Sequence, residues 1–346
     1  MNYRGKLNLV AIAALAVLAG LAWGAPNRCE AAGKALPKLI TITSYGQGST
    51  CHALASGVSE VIAKATPMDS RVTPGAGDIV RITPLRNKTG ELAMVTNATG
   101  FLALLGKGDF EKAKWGPQPI RLVWLGSVLA NAIPFTRGDS GIRTVADLKG
   151  KKVADIAGAS TYWACLKAAL AFGGLTEDDV IKVPIAGYSK HFDALLEGVV
   201  DVALGSTNSA KAMETAGSPH GIHWLNYDPK DKAAWARLHK EAPWIMPLRI
   251  TSGAGIKPDN PQNLCGYPYS LFAYPSCQND VTAAVAQALA ENHKRLQGIH
   301  KEFAKWDLAH ALDMTLLQDI LIPYHDGAIA YFKKAGKWTP EHEAWQ

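Results

Sequence analysis

The chain has 346 residues, 48% of them hydrophobic and 19% charged, with a formal net charge of +6. That length predicts two domains, each large enough to bury a core. Ten Trp, 8% aromatic residues and aperiodic Gly and Pro exclude a disordered, collagenous or low-complexity chain.

Residues 7–22 form a nearly uncharged run behind Arg4 and Lys6. A basic start, an apolar stretch too short to span comfortably and small residues after it predict a secretory signal peptide over 1–31. Cleavage would follow Gly24 or Ala31; an uncleaved anchor is the alternative. Cys29 lacks the context of a lipidated cysteine. No later stretch approaches ~18 apolar residues, so the sequence predicts a soluble, exported protein. Arg4, Lys6 and Arg28 against Glu30 hold +2 of the charge, leaving +4 scattered among acidic residues without a basic block. No nucleic-acid partner is expected.

From Lys38 onward, short β-branched runs alternate with amphipathic stretches. Strands are predicted over 39–43, 71–73 and 91–95, with helices over 52–64 and 78–86 between them. The same grammar restarts after residue 138, with strands over 152–154, 181–183 and 201–204 and helices over 161–172 and 192–197. Strands separated by helices imply parallel βαβ units. Residues 121–129, 131–135, 245–251 and 269–273 are extended, and 280–301 and 306–334 are helical with Pro323 as a break.

The two halves echo one another. A strand leads into Gly46-Gln47-Gly48-Ser49-Thr50 and a helix; another leads into residues 157–161 and a helix. Residues 90–97 are similarly echoed by 198–208. The expected fold is therefore α/β and two-lobed, each lobe a mostly parallel sheet flanked by helices and joined by crossover strands. Lobe I is expected over 33–135, lobe II over 136–250 and a return to lobe I over 251–346, with hinges near 130–137 and 246–253.

Ligands of open α/β sheets bind beyond the carboxyl ends of the strands. Four small polar loops fall there: 44–50, 96–99, 158–162 and 206–209. Their hydroxyls can cap helices whose free N–H groups suit a carboxylate. Tyr45 and Tyr162 flank the two main loops and can stack on a ligand or simply pack. Gly46-x-Gly48 lacks the third glycine and the acidic partner of a dinucleotide site. Hydrolase, metalloprotease, Walker and C-x-x-C motifs are absent from the sequence, so no catalytic residue, cofactor or metal is expected. Cys51 and His52 are adjacent on a helix and point about a hundred degrees apart, which makes them poor mutual partners. His220 and His223 match a metal pair by spacing alone, and an exposed polar turn is the alternative. Beyond residue 31 four cysteines remain: Cys51, Cys165, Cys265 and Cys277. Cys265 and Cys277 either close a short loop or stay as free thiols.

One stretch, from Arg137-Gly138-Asp139-Ser140-Gly141-Ile142 through Asp147-Leu148-Lys149-Gly150-Lys151 to Val153, is distinctive. With Leu175 to Asp179, Gly198-x-x-Asp201-x-Ala203, Pro247 followed by Gly253, and Ile322-Pro323-Tyr324-His325-Asp326-Gly327-Ala328 with Tyr331, it resembles the TAXI family of solute receptors for TRAP (tripartite ATP-independent periplasmic) transporters. The resemblance covers residues 38–335. It implies a periplasmic binding protein of type II-like fold that closes on a small organic anion, acidic amino acids and dicarboxylates above all. The receptor, expected as a monomer, would hand that solute to TRAP membrane permease subunits.

The positions it implies are Gly46, Gly48, Ser49, Asn97, Gly158, Ser160, Thr161, Ser206, Thr207 and Asn208. Tyr45, Gln47, Thr50, His52 and Tyr162 complete the expected ligand surface. The family's tyrosine pair after the glycines is replaced here by Thr50, Cys51 and His52, which points to a different ligand. Arg249 stands where a smaller residue is usual and is either a carboxylate clamp or a strand-edge charge. A sensor feeding a signalling receptor, or an exported enzyme using Cys51 and His52, are the competing expectations.

Overall fold

The computed structural model describes residues 35–346, so the export signal expected over 1–31 lies outside the described residues. The first lobe begins with β1 (Leu39–Ser44), a run of alternating Leu, Ile and Thr that is buried beyond Leu39. Helix α1 (Thr50–Ala65) follows; the Ser49 side chain accepts from His52 N–H and caps it. Leu54, Val58, Val61 and Ile62 recur at helical spacing and line its buried face. The chain continues through β2 (Asp69–Pro74), α2 (Asp78–Arg86), β3 (Leu92–Thr96), α3 (Asn97–Leu105), the single turn α4 (Asp109–Lys112) and β4 (Arg121–Leu129).

β4 runs through Ala130–Ala132 into β5 (Ile133–Arg137), which belongs to a separate sheet. The second lobe comprises β5, β6 (Lys152–Ile156), α5 (Ser160–Phe172), β7 (Ile181–Ile185), α6 (Tyr188–Leu196), β8 (Ala203–Gly205), α7 (Ala210–Ala216), β9 (Ile222–Trp224) and α8 (Lys232–Glu241). A hairpin of β10 (Met246–Ile250) and β11 (Gln262–Ala273) returns the chain to the first sheet. The remaining helices are α9 (Asn279–Glu291), α10 (His293–Ile299), α11 (Leu308–Ala311), α12 (Met314–Ile320), α13 (Asp326–Lys334) and α14 (Pro340–Trp345).

The βαβ units are parallel: β1 with β2 and β3 in the first lobe, β6 with β7 in the second. A parallel bridge, Val153 to Val202, ties β6 to the approach of β8. The strands that connect the lobes add antiparallel pairs: β11 with β3 and β4, and β5 with β8 and β9. The six-stranded sheet of the first lobe is thus mixed, whereas in the second lobe β8-β5-β9 is antiparallel and β6-β7 parallel; a strand that enters from the other lobe is free to run either way.

The expected lobe boundary at residue 250 falls at the β10/β11 turn. That turn rests on the second lobe, where Ala254 N–H donates to the Thr207 carbonyl at 2.8 Å and Trp224 Nε1–H to the Ala254 carbonyl at 2.7 Å. The β4–β5 crossing is buried at Ala130, Asn131 and Ala132. Ala132 there takes a left-handed φ of 50°, a conformation that a side chain disfavours. The four cysteines of the described residues are free, so Cys265 and Cys277 form no disulfide.

In the first lobe Trp124, Phe272, Phe303, Trp306 and Phe332 are fully buried; in the second, Phe135 packs on Phe192 and Trp224. His191 of α6 lies in that second core, its Nε2–H donating to the Leu204 carbonyl at 2.6 Å. Burial pushes its pKa down from 6.5 to about 4. The folded state therefore resists a proton that the unfolded chain accepts. This contribution is complete above pH 6.5 and is lost as pH falls from 6.5 through 4, by about 3 kcal/mol in all. Urea unfolding of wild type and His191→Gln at pH 7 and pH 4.5 should show the wild type losing more stability on acidification than the variant.

Candidate functional site

The loops singled out from sequence face one another across the seam between the lobes. In the loop after β1, Gly48 has φ 84°, a left-handed bend that suits glycine. Ser49 Oγ–H donates back to the Gly46 carbonyl at 2.6 Å. Thr50 Oγ1–H crosses the seam to Ser206 Oγ at 3.2 Å, and Ser189 Oγ–H reaches the Gln47 carbonyl at 3.3 Å. Thr96 caps α3, and Asn97 accepts from Ser270 Oγ–H at 2.6 Å. Ser206 and Thr207 are buried after β8, before a helix capped by Ser209.

Tyr45 and Tyr162 do come together, ring on ring at 5.8 Å and 15°. Tyr188, from the start of α6, meets both edge-on at 5.2 and 5.9 Å. Burial pushes the Tyr188 phenol up to about 12 and raises Tyr45 as well, so all stay protonated donors. Three buried polar atoms of this seam have no hydrogen-bond partner: Tyr45 Oη, Asn97 Nδ2 and Thr207 Oγ1. Buried polar groups are ordinarily paired, so these are groups that a ligand could satisfy.

The second-lobe loop, expected to offer its helix N-terminus to a ligand, is engaged by the first lobe itself. Asp78, at the start of α2, accepts on Oδ2 from Thr161 N–H at 3.1 Å and Thr161 Oγ1–H at 2.8 Å. Its Oδ1 forms an ion pair with Arg81 and accepts from Thr99 Oγ1–H at 3.2 Å. Asp109 accepts from Ser160 N–H at 2.8 Å and returns its own N–H to Ser160 Oγ at 3.0 Å. Asp78 N–H donates to the Gly158 carbonyl at 2.9 Å.

Sequence reasoning passed over Asp78, Arg81, Asp109 and Tyr188. A visible signal existed: Asp78 and Arg81 share one helix face three residues apart, directly after Gly75-Ala76-Gly77.

Arg81 is the only buried Lys or Arg among the described residues. Burial opposes its charge, but Asp78 and the surrounding thiol and phenols favour it, and the guanidinium pKa is raised overall. It also lies over the Tyr45 ring at 4.7 Å. Arg249, by contrast, is exposed on β10 and reaches only Asn263, at 3.5 Å. It lines a separate cavity of about 320 Å³ with Asn208, Lys301 and Glu302. Asn208 is drawn to Glu302 on that side of the hinge strands.

Cys51 and His52 form no nucleophile–base pair. The Cys51 thiol donates to the Met94 carbonyl at 3.0 Å and burial raises its pKa, whereas His52 Nδ1 pairs with Ser44 Oγ at 3.0 Å. His220 pairs with Asp139 at 2.7 Å and His223 with the Arg143 carbonyl at 3.2 Å. Among the described residues no group of three or more His, Cys, Asp or Glu could hold a metal. No described helix is long and apolar enough to cross a membrane.

The profile of the NMT1-like family matches residues 42–336. The chain belongs to the NMT1-like family. The match spans both lobes and the hinge strands, so it covers every residue of the seam described above. No curated protein matches the chain. Among solved structures, a protein from Bordetella bronchiseptica RB50 is 15% identical, with a TM-score of 0.52 over 87% of this chain and 98% of that one. The alkanesulfonate-binding protein SsuA from Xanthomonas axonopodis pv. citri, bound to MOPS, is 14% identical, with a TM-score of 0.45 over 88% and 96%. A periplasmic binding protein of high arginine specificity from Salmonella typhimurium is 12% identical, with a TM-score of 0.46 over 76% and 99%.

Removing one partner of a buried ion pair leaves an uncompensated charge. Arg81→Met should therefore lower unfolding free energy by about 3–5 kcal/mol in urea titrations. Thr161→Val, which deletes one hydroxyl, should cost about 1 kcal/mol. Equal, sub-kcal effects would mean that the pair behaves as a surface ion pair.

Proposed function

We propose that this member of the NMT1-like family is an extracytoplasmic solute receptor. In this reading residues 1–31 direct export to the periplasm, and the monomer traps a small organic anion between its lobes. Rotation about the β4–β5 crossing and the β10/β11 ribbon opens and closes the seam, and the loaded form docks on TRAP permease subunits. The observation that carries the reading is the interlobe seam itself: Arg81 buried over the Tyr45 ring, and three buried polar atoms of the seam loops without partners, Tyr45 Oη, Asn97 Nδ2 and Thr207 Oγ1. A buried guanidinium favours a carboxylate or another planar anion, and the aromatic walls suit the carbon skeleton that bears it.

Catalysis has no comparable support, since the Cys51 thiol is buried and has no base beside it. Of the residues expected to line the ligand, Tyr45, Thr50, Asn97, Tyr162, Ser206 and Thr207 stay at the centre of this reading, with Arg81 added. Arg249 sits apart from them.

Native mass spectrometry of protein from its own periplasm, followed by a thermal-shift screen of small carboxylates, should find a solute that raises Tm at micromolar concentration. Tyr45→Phe and Thr207→Val remove hydroxyls that have no partner, so both should keep wild-type Tm without solute. Each should weaken that solute's binding tenfold or more in calorimetry. A screen without any stabilising compound, together with turnover of one of them, would sink the receptor reading.

A further inference from the structure

The α5 N-terminus and Arg81 form the strongest anion-binding arrangement of the seam, and a carboxylate of the chain itself already sits in it. Both oxygens of Asp78 are used. Oδ1 takes Arg81 and Thr99 Oγ1–H; Oδ2 takes Thr161 N–H, Thr161 Oγ1–H and, at 3.4 Å, Ser160 Oγ–H. These donors come from both lobes: Arg81 and Thr99 from the first, Ser160 and Thr161 from the second. The approach that brings them together depends on Gly77, because a Cβ there would lie 2.2 Å from the Gly158 carbonyl oxygen. The unpartnered Tyr45 hydroxyl belongs to the ring under the Arg81 guanidinium.

We propose that Asp78 is a tethered stand-in for the carboxylate of the solute: it bridges Arg81 to the first turn of α5, holds the lobes together, and must be displaced for an anion to bind there. The inference rests on the receptor reading and names its ligand group as a carboxylate able to span Arg81 and Thr161. The physical argument is competition. A tethered carboxylate acts at a high effective concentration, so it admits only solutes whose further contacts outweigh it. Tyr45 Oη, Asn97 Nδ2 and Thr207 Oγ1 are the groups free to supply those contacts. Such a device sets a threshold of selectivity, since bare carboxylates of small size gain nothing over Asp78.

The test is chemical rescue. Full-length Asp78→Ala, refolded from denaturant to strip any retained solute, should keep its circular dichroism spectrum yet show a larger radius of gyration than wild type in solution scattering. Acetate should bind in place of the deleted carboxylate and restore the smaller radius, whereas chloride at equal ionic strength should not; wild type should respond to neither. A variant as compact as wild type without acetate, or one that opens and ignores acetate, overturns the proposal.

If Asp78→Ala does not fold, Ser160→Ala combined with Thr161→Val leaves the Asp78–Arg81 pair intact and removes only the second-lobe hydroxyls. It should show a smaller enlargement, since Thr161 N–H and the Gly158 carbonyl still bond Asp78, and a radius equal to wild type would again overturn the proposal. These readouts use no transported solute. Acetate rescue without any hit in the carboxylate screen would therefore count against the receptor reading while leaving the Asp78 contact standing.

Discussion

The seam of this protein is organised around a single carboxylate that is taken fully out of water. Isolated, a buried charge of this kind is expensive, and an ion pair alone seldom repays the desolvation. Asp78 is tolerated because Arg81, two threonine hydroxyls and a backbone amide surround it. Those donors belong to different lobes, so satisfying one side chain ties the two lobes together at this point. The close passage of Gly77 over Gly158 and the stacking of Tyr45 on Tyr162 accompany that contact.

For such a contact to form and break as proposed, neither core can be disturbed by it. Each lobe has its own aromatic interior, around Trp124 and Trp306 in one and around Phe135 and Phe192 in the other. The links between them are few and extended. Asn131 at the first crossing receives the Tyr269 hydroxyl and donates to that of Tyr267, both at 3.0 Å, so the crossing is pinned to β11 by side chains. The left-handed Ala132 beside it is a local strain of the kind found at switch points. In the proposed receptor, motion would be concentrated in these strands and in the polar seam, where hydrogen bonds are exchanged for solute contacts at modest cost.

Much of this architecture was legible in the residues. The β-branched runs and the helical spacing of Leu54, Val58, Val61 and Ile62 located β1, α1 and their counterparts, with ends shifted by a few residues. Residues 78–86 are helical from end to end as expected, although Pro84 lies inside the helix. The echo between the halves anticipated facing loops, and Thr50 meeting Ser206 and Tyr45 meeting Tyr162 are its outcome. Periodicity did not reveal the antiparallel pairs of β11, because strand direction depends on which lobe the chain arrives from.

Sequence alone determined the α/β grammar, the two-lobed plan, the polar loops at the strand ends and the lack of known catalytic motifs. These follow from local rules: side-chain period, capping chemistry and the small residues that turns require. Only the tertiary structure decided that the α5 N-terminus faces Asp78, that Arg81 is buried beside Tyr45, and that Arg249 is exposed and lines a separate cavity. The partners of Asp78 stand up to 83 positions away along the chain. A charge's partner, and whether water reaches it, are set by packing between segments that no local pattern connects.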